Sequence, residues 1–211
     1  MPTTPAAPEP CHSRASGRTF HRHEHPDGPP APMTLLGRLR QHLTAQRIRR
    51  WARRRLRAGD AVVLDTETTD LFGHVVQLSV IDTDGTVLLD TLVRPPVPIT
   101  AAATAVHGLR DEDVADAPTA RVVAPQLLEV TRGRLLLAYN APYDRAVLAA
   151  ELTAAGVDPG SLADARRWSC LMRLRSRAEG APWARLQGTH DALGDCRATL
   201  AVLRDLAGAR P

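Results

Sequence analysis

The sequence predicts an α/β fold in which a mixed β-sheet is flanked by helices. Short apolar runs separated by turn residues occupy positions 61–93, which is typical of a strand meander. Beyond residue 119, segments of helical periodicity alternate with a short apolar run. A length of 211 residues and a hydrophobic fraction of 44% are sufficient for one domain with a buried core, together with extensions.

The first 32 residues are predicted to be a disordered tail. Residues 1–32 are rich in Pro, Ala, Gly, Ser and charged residues, so they offer little to bury. A group of potential metal ligands lies in this tail, and metal capture by a flexible segment and a plain solvated tail both stay open. The ligands are Cys11, His12, His21, His23 and His25. Met33 could be the start of the protein.

A basic amphipathic helix is predicted for residues 33–59. Apolar residues recur at roughly helical spacing between positions 34 and 58, and nine Arg without any acid fill the remaining polar positions. This helix could grip phosphates, or dock on a partner or an anionic surface. It could also pack on the following domain with its arginines simply solvated, and the sequence leaves these interpretations open.

Residues 60–208 are predicted to form the main domain. A turn at Asp82–Gly85 joins the second and third strands as a hairpin. The predicted strands are 61–65, 75–81, 87–93 and 134–139, with a last one near 161–168. The predicted helices are 119–131, 143–155 and 190–207.

Charge is divided unevenly along the chain. Residues 1–60 carry 12 Arg against four acids, whereas residues 61–211 carry 15 Arg against 19 acids. The net charges of the two parts are therefore +8 and −4. A site in the acidic part that handles an anionic substrate would need bound cations, while the basic part could attract polyanions directly.

The cysteines and the hydropathy pattern indicate a cytoplasmic protein. The three cysteines are scattered without CxxC spacing, so the sequence gives no zinc or disulfide framework. No apolar run reaches about 18 residues, so no membrane span is expected.

Two carboxylates, Asp65 and Glu67, end the first predicted strand. Side chains at positions i and i+2 of a strand point to the same face. Carboxylates that converge in this way repel each other and are costly to desolvate, so they usually persist where a cation neutralises them. Mg²⁺ and other hard cations take oxygen ligands of this kind. Taken alone, the pair could still be two solvated acids at a strand end.

Two further segments carry polar residues at the starts of predicted helices. Asn140-Ala-Pro-Tyr-Asp144 follows the strand at 134–139, and Pro142 is suited to the first turn of the next helix. His190-Asp-Ala-Leu-Gly-Asp195 lies near the start of the last helix, where positions five apart can face one cleft. Individually, Asp144 and His190 would be ordinary polar residues at helix starts.

Together, these segments resemble the three motifs of the DEDDh 3′–5′ exonucleases, the family of the epsilon subunit of bacterial DNA polymerase III. The motifs are Asp65-x-Glu67, Asn140-x-x-x-Asp144 and His190-x4-Asp195. The resemblance spans about residues 60–207 and includes Val106-His107-Gly108-Leu109. It implies a ribonuclease H-like mixed five-stranded sheet whose second strand is antiparallel.

The resemblance also implies an activity. The chain would hydrolyse phosphodiester bonds at the 3′ end of single-stranded or frayed DNA and release 5′-mononucleotides, using two divalent cations, Mg²⁺ or Mn²⁺. Asp65 would contact both metals, Glu67 and Asp195 would hold the one that carries the nucleophilic water, and Asp144 would complete the site directly or through water. His190 would be the general base, because imidazole titrates close to neutral pH.

The same resemblance suggests a set of residues around the terminal nucleotide. These are Thr66, Thr68, Thr69, His107 and Asn140. For His107 an ordinary His-Gly turn remains an alternative.

The chain departs from the family pattern at three positions near this pocket. Asp70 replaces a usual Gly, which is tolerable if the backbone there is not left-handed. Tyr139 and Tyr143 replace a usual His and Phe. These changes bring the substrate preference into question more than the activity.

Several functional alternatives stay open. Trimming of RNA by the same chemistry is one, and a weakly catalytic subunit that binds nucleic acid or a polymerase through residues 34–58 is another. A proofreading or repair role would require a polymerase or another replication partner. Trp168 and Trp183, within the Arg-rich segment 166–185, could stack on bases or fill the core.

Overall fold

A mixed five-stranded sheet forms the framework of the computed structural model, which describes residues 34–209. The predictions for the tail, including its potential metal ligands and a start at Met33, lie outside the described residues. The strands are β1 Ala61–Thr68, β2 Val75–Asp82, β3 Val87–Leu92, β4 Leu135–Ala138 and β5 Trp168–Cys170. Their order is β3-β2-β1-β4-β5, with β2 antiparallel to both neighbours and β4 parallel to β1 and β5. The predicted sheet is thereby confirmed.

Helices cover both faces of this sheet. They are α1 Leu35–Ala58, α2 Ala101–His107, α3 Asp111–Val114, α4 Ala120–Thr131, α5 Ala141–Ala154, α6 Leu171–Glu179 and α7 Ala192–Ala207. None of the helices in the described part of the chain has the length and hydrophobicity that crossing a membrane requires.

The alternation of side chains along β1 divides the core into two layers. Val62 and Leu64 belong to a cluster with residues of α4 and α5. Ala61 and Val63 belong to a second cluster with residues of α1, α6 and α7. Because both faces of β1 are covered, its first four residues are all apolar and fully buried.

Several predicted boundaries were wrong, since β1 ends at Thr68 rather than 65 and α5 begins at Ala141 rather than 143. The last strand is Trp168–Cys170 rather than 161–168, because residues 160–162 and 165–167 form 3₁₀ turns, the second of which is capped by Asp164. The last helix begins at Ala192 rather than 190. Its N-cap is Asp191, whose Oδ1 accepts a hydrogen bond from the Gly194 N–H at 2.8 Å.

Helix α1 packs on the domain through one buried face and through polar side chains along its length. Ile48 and Ala52 are buried. Gln41 Nε2 donates to the carbonyl oxygens of Arg177 and Ala178, at 2.8 and 2.9 Å, at the C-terminal end of α6.

The arginines of α1 make a similar contact at the end of α7. Arg49 and Arg53 donate through Nε to the Ala207 carbonyl oxygen, at 3.4 and 2.8 Å. The last carbonyls of a helix lack partners within it, so α1 satisfies groups that α6 and α7 leave open.

Candidate active site

Three carboxylates converge at the end of β1. Asp65 and Glu67 continue the face of β1 that carries Ala61 and Val63, and α7 covers this face. Asp195 lies in the first turn of α7. Oxygen atoms of the three carboxylates lie within 4.8 Å of one another. Strand alternation and the start of α7 therefore bring three of the four predicted acids together.

Asp144, the fourth acid, approaches β1 from α5. It lies in the first turn of α5 and is 3% exposed. Its Oδ1 accepts a hydrogen bond from the Thr66 hydroxyl at 3.0 Å. Asp144 is outside the group of three acids whose oxygens lie within 4.8 Å of one another, but its charge acts on both Asp65 and Glu67.

The ionisation of Asp65, Glu67 and Asp144 is strongly perturbed. Burial, followed by the charges of Asp144, Glu67 and Asp195, raises the pKa of Asp65 well above its usual value. Burial and the charges of Asp195 and Asp144 raise the pKa of Glu67 to about 7. Burial raises the pKa of Asp144 to about 7, although the hydrogen bond from Thr66 opposes this rise.

The donor set fits a divalent cation. Without one, the half-buried carboxylates of Asp65, Glu67 and Asp195 repel each other, and such a group is stable only if it is protonated or neutralised by positive charge. No described Arg forms an ion pair with any of the four acids. Clustered carboxylate oxygens are the ligands that Mg²⁺ and Mn²⁺ prefer.

The loop before α7 is hydrogen-bonded to the Asp195 side chain. The Asp195 Oδ1 atom accepts hydrogen bonds from the backbone N–H groups of Thr189 and His190, at 2.9 and 3.3 Å. His190 is exposed and has a left-handed backbone, with φ of 57°. It therefore lies on this loop and not on α7, contrary to the sequence prediction.

Gly188 is a site residue that the sequence analysis missed. A Cβ atom at this position would lie 1.8 Å from Asp195 Oδ1. Any side chain there would displace the carboxylate or the loop. Its signal in the sequence is a Gly two residues before His190.

The three candidate threonines are buried and bonded within the protein. Thr66 bonds Asp144, as described above. The Thr68 hydroxyl donates to the Asp70 carbonyl oxygen and pairs with the Tyr143 hydroxyl, both at 2.8 Å. Thr69 Oγ1 accepts from the His74 N–H at 3.0 Å. The side chains of Thr68 and Thr69 thus shape the turn after β1, whereas that of Thr66 joins β1 to α5.

The other two pocket candidates lie at the ends of helices. His107, the last residue of α2, lies with Nε2 3.2 Å from the Thr68 carbonyl oxygen, while its Nδ1 accepts from the Leu109 N–H at 3.1 Å. Burial lowers the pKa of His107, which favours the neutral ring at pH 7. Asn140 is exposed at the N-cap of α5, and its side chain makes no capping hydrogen bond.

The turn after β1 accepts Asp70 without a left-handed backbone. Phe72 takes that conformation instead, with φ of 61°. The Phe72 ring lies 5.2 Å from the Tyr143 ring, and Leu71 beside it is 76% exposed. The sequence analysis did not single out Leu71 or Phe72, which form an exposed apolar tip next to the site.

Tyr139, the second departure from the family pattern, anchors the loop that leads to His190. Its ring is buried, and its hydroxyl donates to the Ala184 carbonyl oxygen at 2.5 Å.

The two tryptophans between the second and third motifs differ in their surroundings. Trp168 is half-buried with its indole N–H donating to the Leu162 carbonyl oxygen at 2.8 Å, and Trp183 is 63% exposed.

Comparison with known proteins places this site in a family. The family model described as Exonuclease, of the RNase T type, matches residues 62–203. An uncharacterized exonuclease of Escherichia phage 186 is 31% identical over 186 residues, which cover 77% of this chain and 93% of the relative. The chain therefore belongs to the RNase T-type exonuclease family, and it is an exonuclease with the DEDD-type pattern that the sequence predicted.

Two further matches define the extent of the likeness. A DNA polymerase III subunit epsilon-like protein of Rhodobacter capsulatus is 42% identical over 93 residues, 39% of this chain and 13% of the relative. The solved structure of exonuclease X in complex with 5′-overhanging duplex DNA has 29% sequence identity and a TM-score of 0.53, over 70% of this chain and 91% of that one. The predicted ribonuclease H-like fold is confirmed.

Proposed function

We propose that this chain removes nucleotides from the 3′ end of single-stranded or frayed DNA and releases 5′-mononucleotides. The observation that carries this proposal is the convergence of Asp65, Glu67 and Asp195 within 4.8 Å in a chain of an exonuclease family. The solved relative with 29% identity is described in complex with DNA, which supports DNA as the substrate. We assign the catalytic domain to residues 60–208.

Two divalent cations, Mg²⁺ or Mn²⁺, would be the cofactors. Asp65, Glu67 and Asp195 would hold them, and Asp144 would complete the site directly or through water. When bound, such cations lower the pKa of water and stabilise the charge on the leaving oxygen. The carboxylates of this chain would hold the cations at the end of β1.

His190 would accept the proton of the attacking water. Its exposed position leaves the imidazole free to reach substrate, and its backbone N–H lies 3.3 Å from Asp195 Oδ1. A neutral imidazole nitrogen can accept a proton from water, as a general base requires. The hydrogen bonds from Thr189 and His190 to Asp195 would keep this loop next to the carboxylates.

The pocket for the terminal nucleotide would be formed by the turn after β1 and two helix ends. Thr66, Thr68 and Thr69 would set the backbone of this turn against the nucleotide. His107, neutral and bonded to Thr68, would lie at the sugar or the base. The side-chain amide of Asn140, which makes no capping hydrogen bond, would contact the terminal nucleotide.

A replication or repair partner is part of the proposal. One relative is named as DNA polymerase III epsilon-like, which supports a proofreading or repair role together with a polymerase. A cytoplasmic location follows from such a role.

The test uses one oligonucleotide labelled at either end, with wild type and Asp65→Asn. In Mg²⁺, wild type should release a labelled mononucleotide at once from the 3′-labelled strand, and should give a descending ladder from the 5′-labelled strand. Asp116→Asn, at an exposed position remote from the acids in sequence, is the matched control and should act as wild type. No degradation by wild type, or equal degradation by Asp65→Asn, would defeat the enzyme proposal.

The same assay separates DNA from RNA. An RNA strand of the same sequence should be degraded more slowly than DNA if the proposal is correct. The acids and His190 act on the phosphodiester and do not contact the 2′-hydroxyl, so the same chemistry could act on RNA. Faster degradation of RNA than of DNA would therefore assign the chain to RNA trimming.

A further inference from the structure

A second, basic cleft lies between α1, α5, β5 and α6. Its volume is about 700 Å³, within the ~300–1,000 Å³ range of ligand pockets. None of the three converging carboxylates lines it. The residues that carry the inference are Arg47, Trp51, Arg145, Trp168, Arg173 and Arg177.

The four arginines of this cleft lack acidic partners. No carboxylate lines the cleft, and none of these arginines forms an ion pair with a described acid. By contrast, Arg175 of the same helix α6 pairs with Glu179 at 2.9 Å. A concave surface lined with unneutralised arginines attracts polyanions.

Two of the three tryptophans of the chain line the same cleft. Trp51 comes from α1 and Trp168 from β5, and both are half-buried. The hydrogen bond from the Trp168 indole to Leu162 fixes this ring in place. Aromatic side chains beside cationic ones are the combination that binds single-stranded nucleic acid, because each base can stack while each phosphate meets a positive charge.

The position of the cleft connects it with the exonuclease site. Ala141, Pro142 and Arg145 line the cleft, and they belong to the same first turns of α5 that carry Asp144. Helix α1 supplies one wall, although it lies outside residues 62–203, which the family model matches. This wall therefore lies outside the matched domain.

We propose that this cleft binds a single-stranded segment of the substrate away from the end being hydrolysed. The phosphates lie against Arg47, Arg173 and Arg177, and the bases lie against the two tryptophans. The proposal rests on the proposed function for the identity of the substrate, and it does not require that the chain hydrolyse it.

The first test measures binding without hydrolysis. The affinity of a fluorescently labelled oligo-dT is measured by anisotropy in EDTA over a series of salt concentrations. Arg173→Gln/Arg177→Gln should weaken binding at least about fivefold and reduce the salt slope by about 1.4, since each phosphate contact to a single strand contributes about 0.7. The matched control is Arg50→Gln/Arg57→Gln, which removes two exposed charges from α1 outside the cleft. This control should change the affinity and the salt slope clearly less than Arg173→Gln/Arg177→Gln does.

A substrate too short to reach the cleft separates this proposal from the proposed function. Both double variants should hydrolyse a 5′-thymidylate nitrophenyl ester at the wild-type rate. An inactive wild type would defeat the proposed function and leave the binding test intact. Equal effects of the two double variants on oligonucleotide binding would overturn the cleft proposal. That result is also the one expected if the cleft binds an acidic protein partner instead of nucleic acid.

Tryptophan fluorescence supplies a second readout. In a Trp183→Phe background, the remaining emission comes from Trp51 and Trp168. Oligo-dT should quench it, and an abasic strand of equal length should not, because stacking requires bases. Equal quenching by both strands, or none by either, would overturn the stacking part of the proposal.

Discussion

The Thr66 hydroxyl donates a hydrogen bond of 3.0 Å to the buried carboxylate of Asp144. This bond joins β1 to α5 across 78 positions of sequence and links the first two motifs of the site. A carboxylate that accepts a hydrogen bond keeps its charged form more easily. Thr66 therefore opposes the rise in pKa that burial imposes on Asp144.

Replacing Thr66 by Val tests this relationship. Val has nearly the same shape and lacks the hydroxyl, so the pKa of Asp144 should rise further. A hydrogen bond to a charged group is worth about 1.5–3 kcal/mol, so we expect the rate of nucleotide release at pH 7 to fall at least about tenfold. The pH–rate profile should move to higher pH. Thr66→Ser restores the hydroxyl and should largely restore the profile, and a Thr66→Val profile equal to wild type would contradict the role.

The raised pKa values predict how the metal-free protein responds to pH. Asp65, Glu67 and Asp144 bind protons more tightly in the folded state than in the unfolded state. Their contribution to stability is therefore present below about pH 4 and is lost as the pH rises through about 7. In EDTA, Asp144→Asn should raise the melting temperature at pH 8 by about 3–6 °C, because it removes ~1–2 kcal/mol of unfavourable buried charge.

Two controls complete this experiment. At pH 5 the same substitution should change the melting temperature little, because wild-type Asp144 is then protonated. Mg²⁺ should stabilise the wild-type protein at pH 8, since a ligand that binds only the folded state adds to its stability. A melting temperature of Asp144→Asn below that of wild type at pH 8 in EDTA would show that the buried charge of Asp144 does not destabilise the fold.

His190 is predicted to act through its imidazole, on a left-handed backbone. His190→Ala should lower the rate about 10²–10⁴-fold, the usual contribution of a general base. His190→Asn tolerates the left-handed conformation better than Ala and also lacks the base. It should therefore be as inactive as His190→Ala while keeping the melting temperature closer to wild type. Substantial activity of His190→Asn would contradict the general-base role and would indicate that His190 matters only for the backbone conformation of the loop.

Tyr139 is predicted to order the loop that carries His190. Tyr139→Phe removes the hydroxyl that bonds the Ala184 carbonyl and keeps the buried ring. Amide hydrogen exchange across residues 181–190 should then accelerate, while the strands of the sheet keep their protection. Unchanged exchange in this loop would show that other contacts hold it.

The sequence was sufficient for the sheet and for the acids near its end. Strand alternation alone places Asp65 and Glu67 on one face, and the start of the last helix supplies Asp195. The role of Thr66 as the partner of Asp144 could not be predicted, because it depends on how close α5 packs to β1. The same holds for Gly188, whose importance arises from a contact with Asp195.

The boundaries that failed have local physical causes. Asp164 and Asp191 each cap a helical turn, and a side-chain cap decides a boundary by one or two hydrogen bonds. Helix α6 was not predicted, although Leu171 and Leu174 recur at helical spacing and pack in one cluster with residues of α1 and α7.

The most direct test of the central claim is the Mg²⁺ dependence of nucleotide release from a 3′-labelled single strand by wild type and Asp195→Asn. The Asn side chain can still accept the hydrogen bonds from Thr189 and His190, so the substitution removes charge and leaves the loop in place. Wild type should show saturable dependence on Mg²⁺ and no release in EDTA, and Asp195→Asn should be at least about 10³-fold slower, equivalent to ~4 kcal/mol. Full activity in EDTA, or equal rates for the two proteins, would contradict the account.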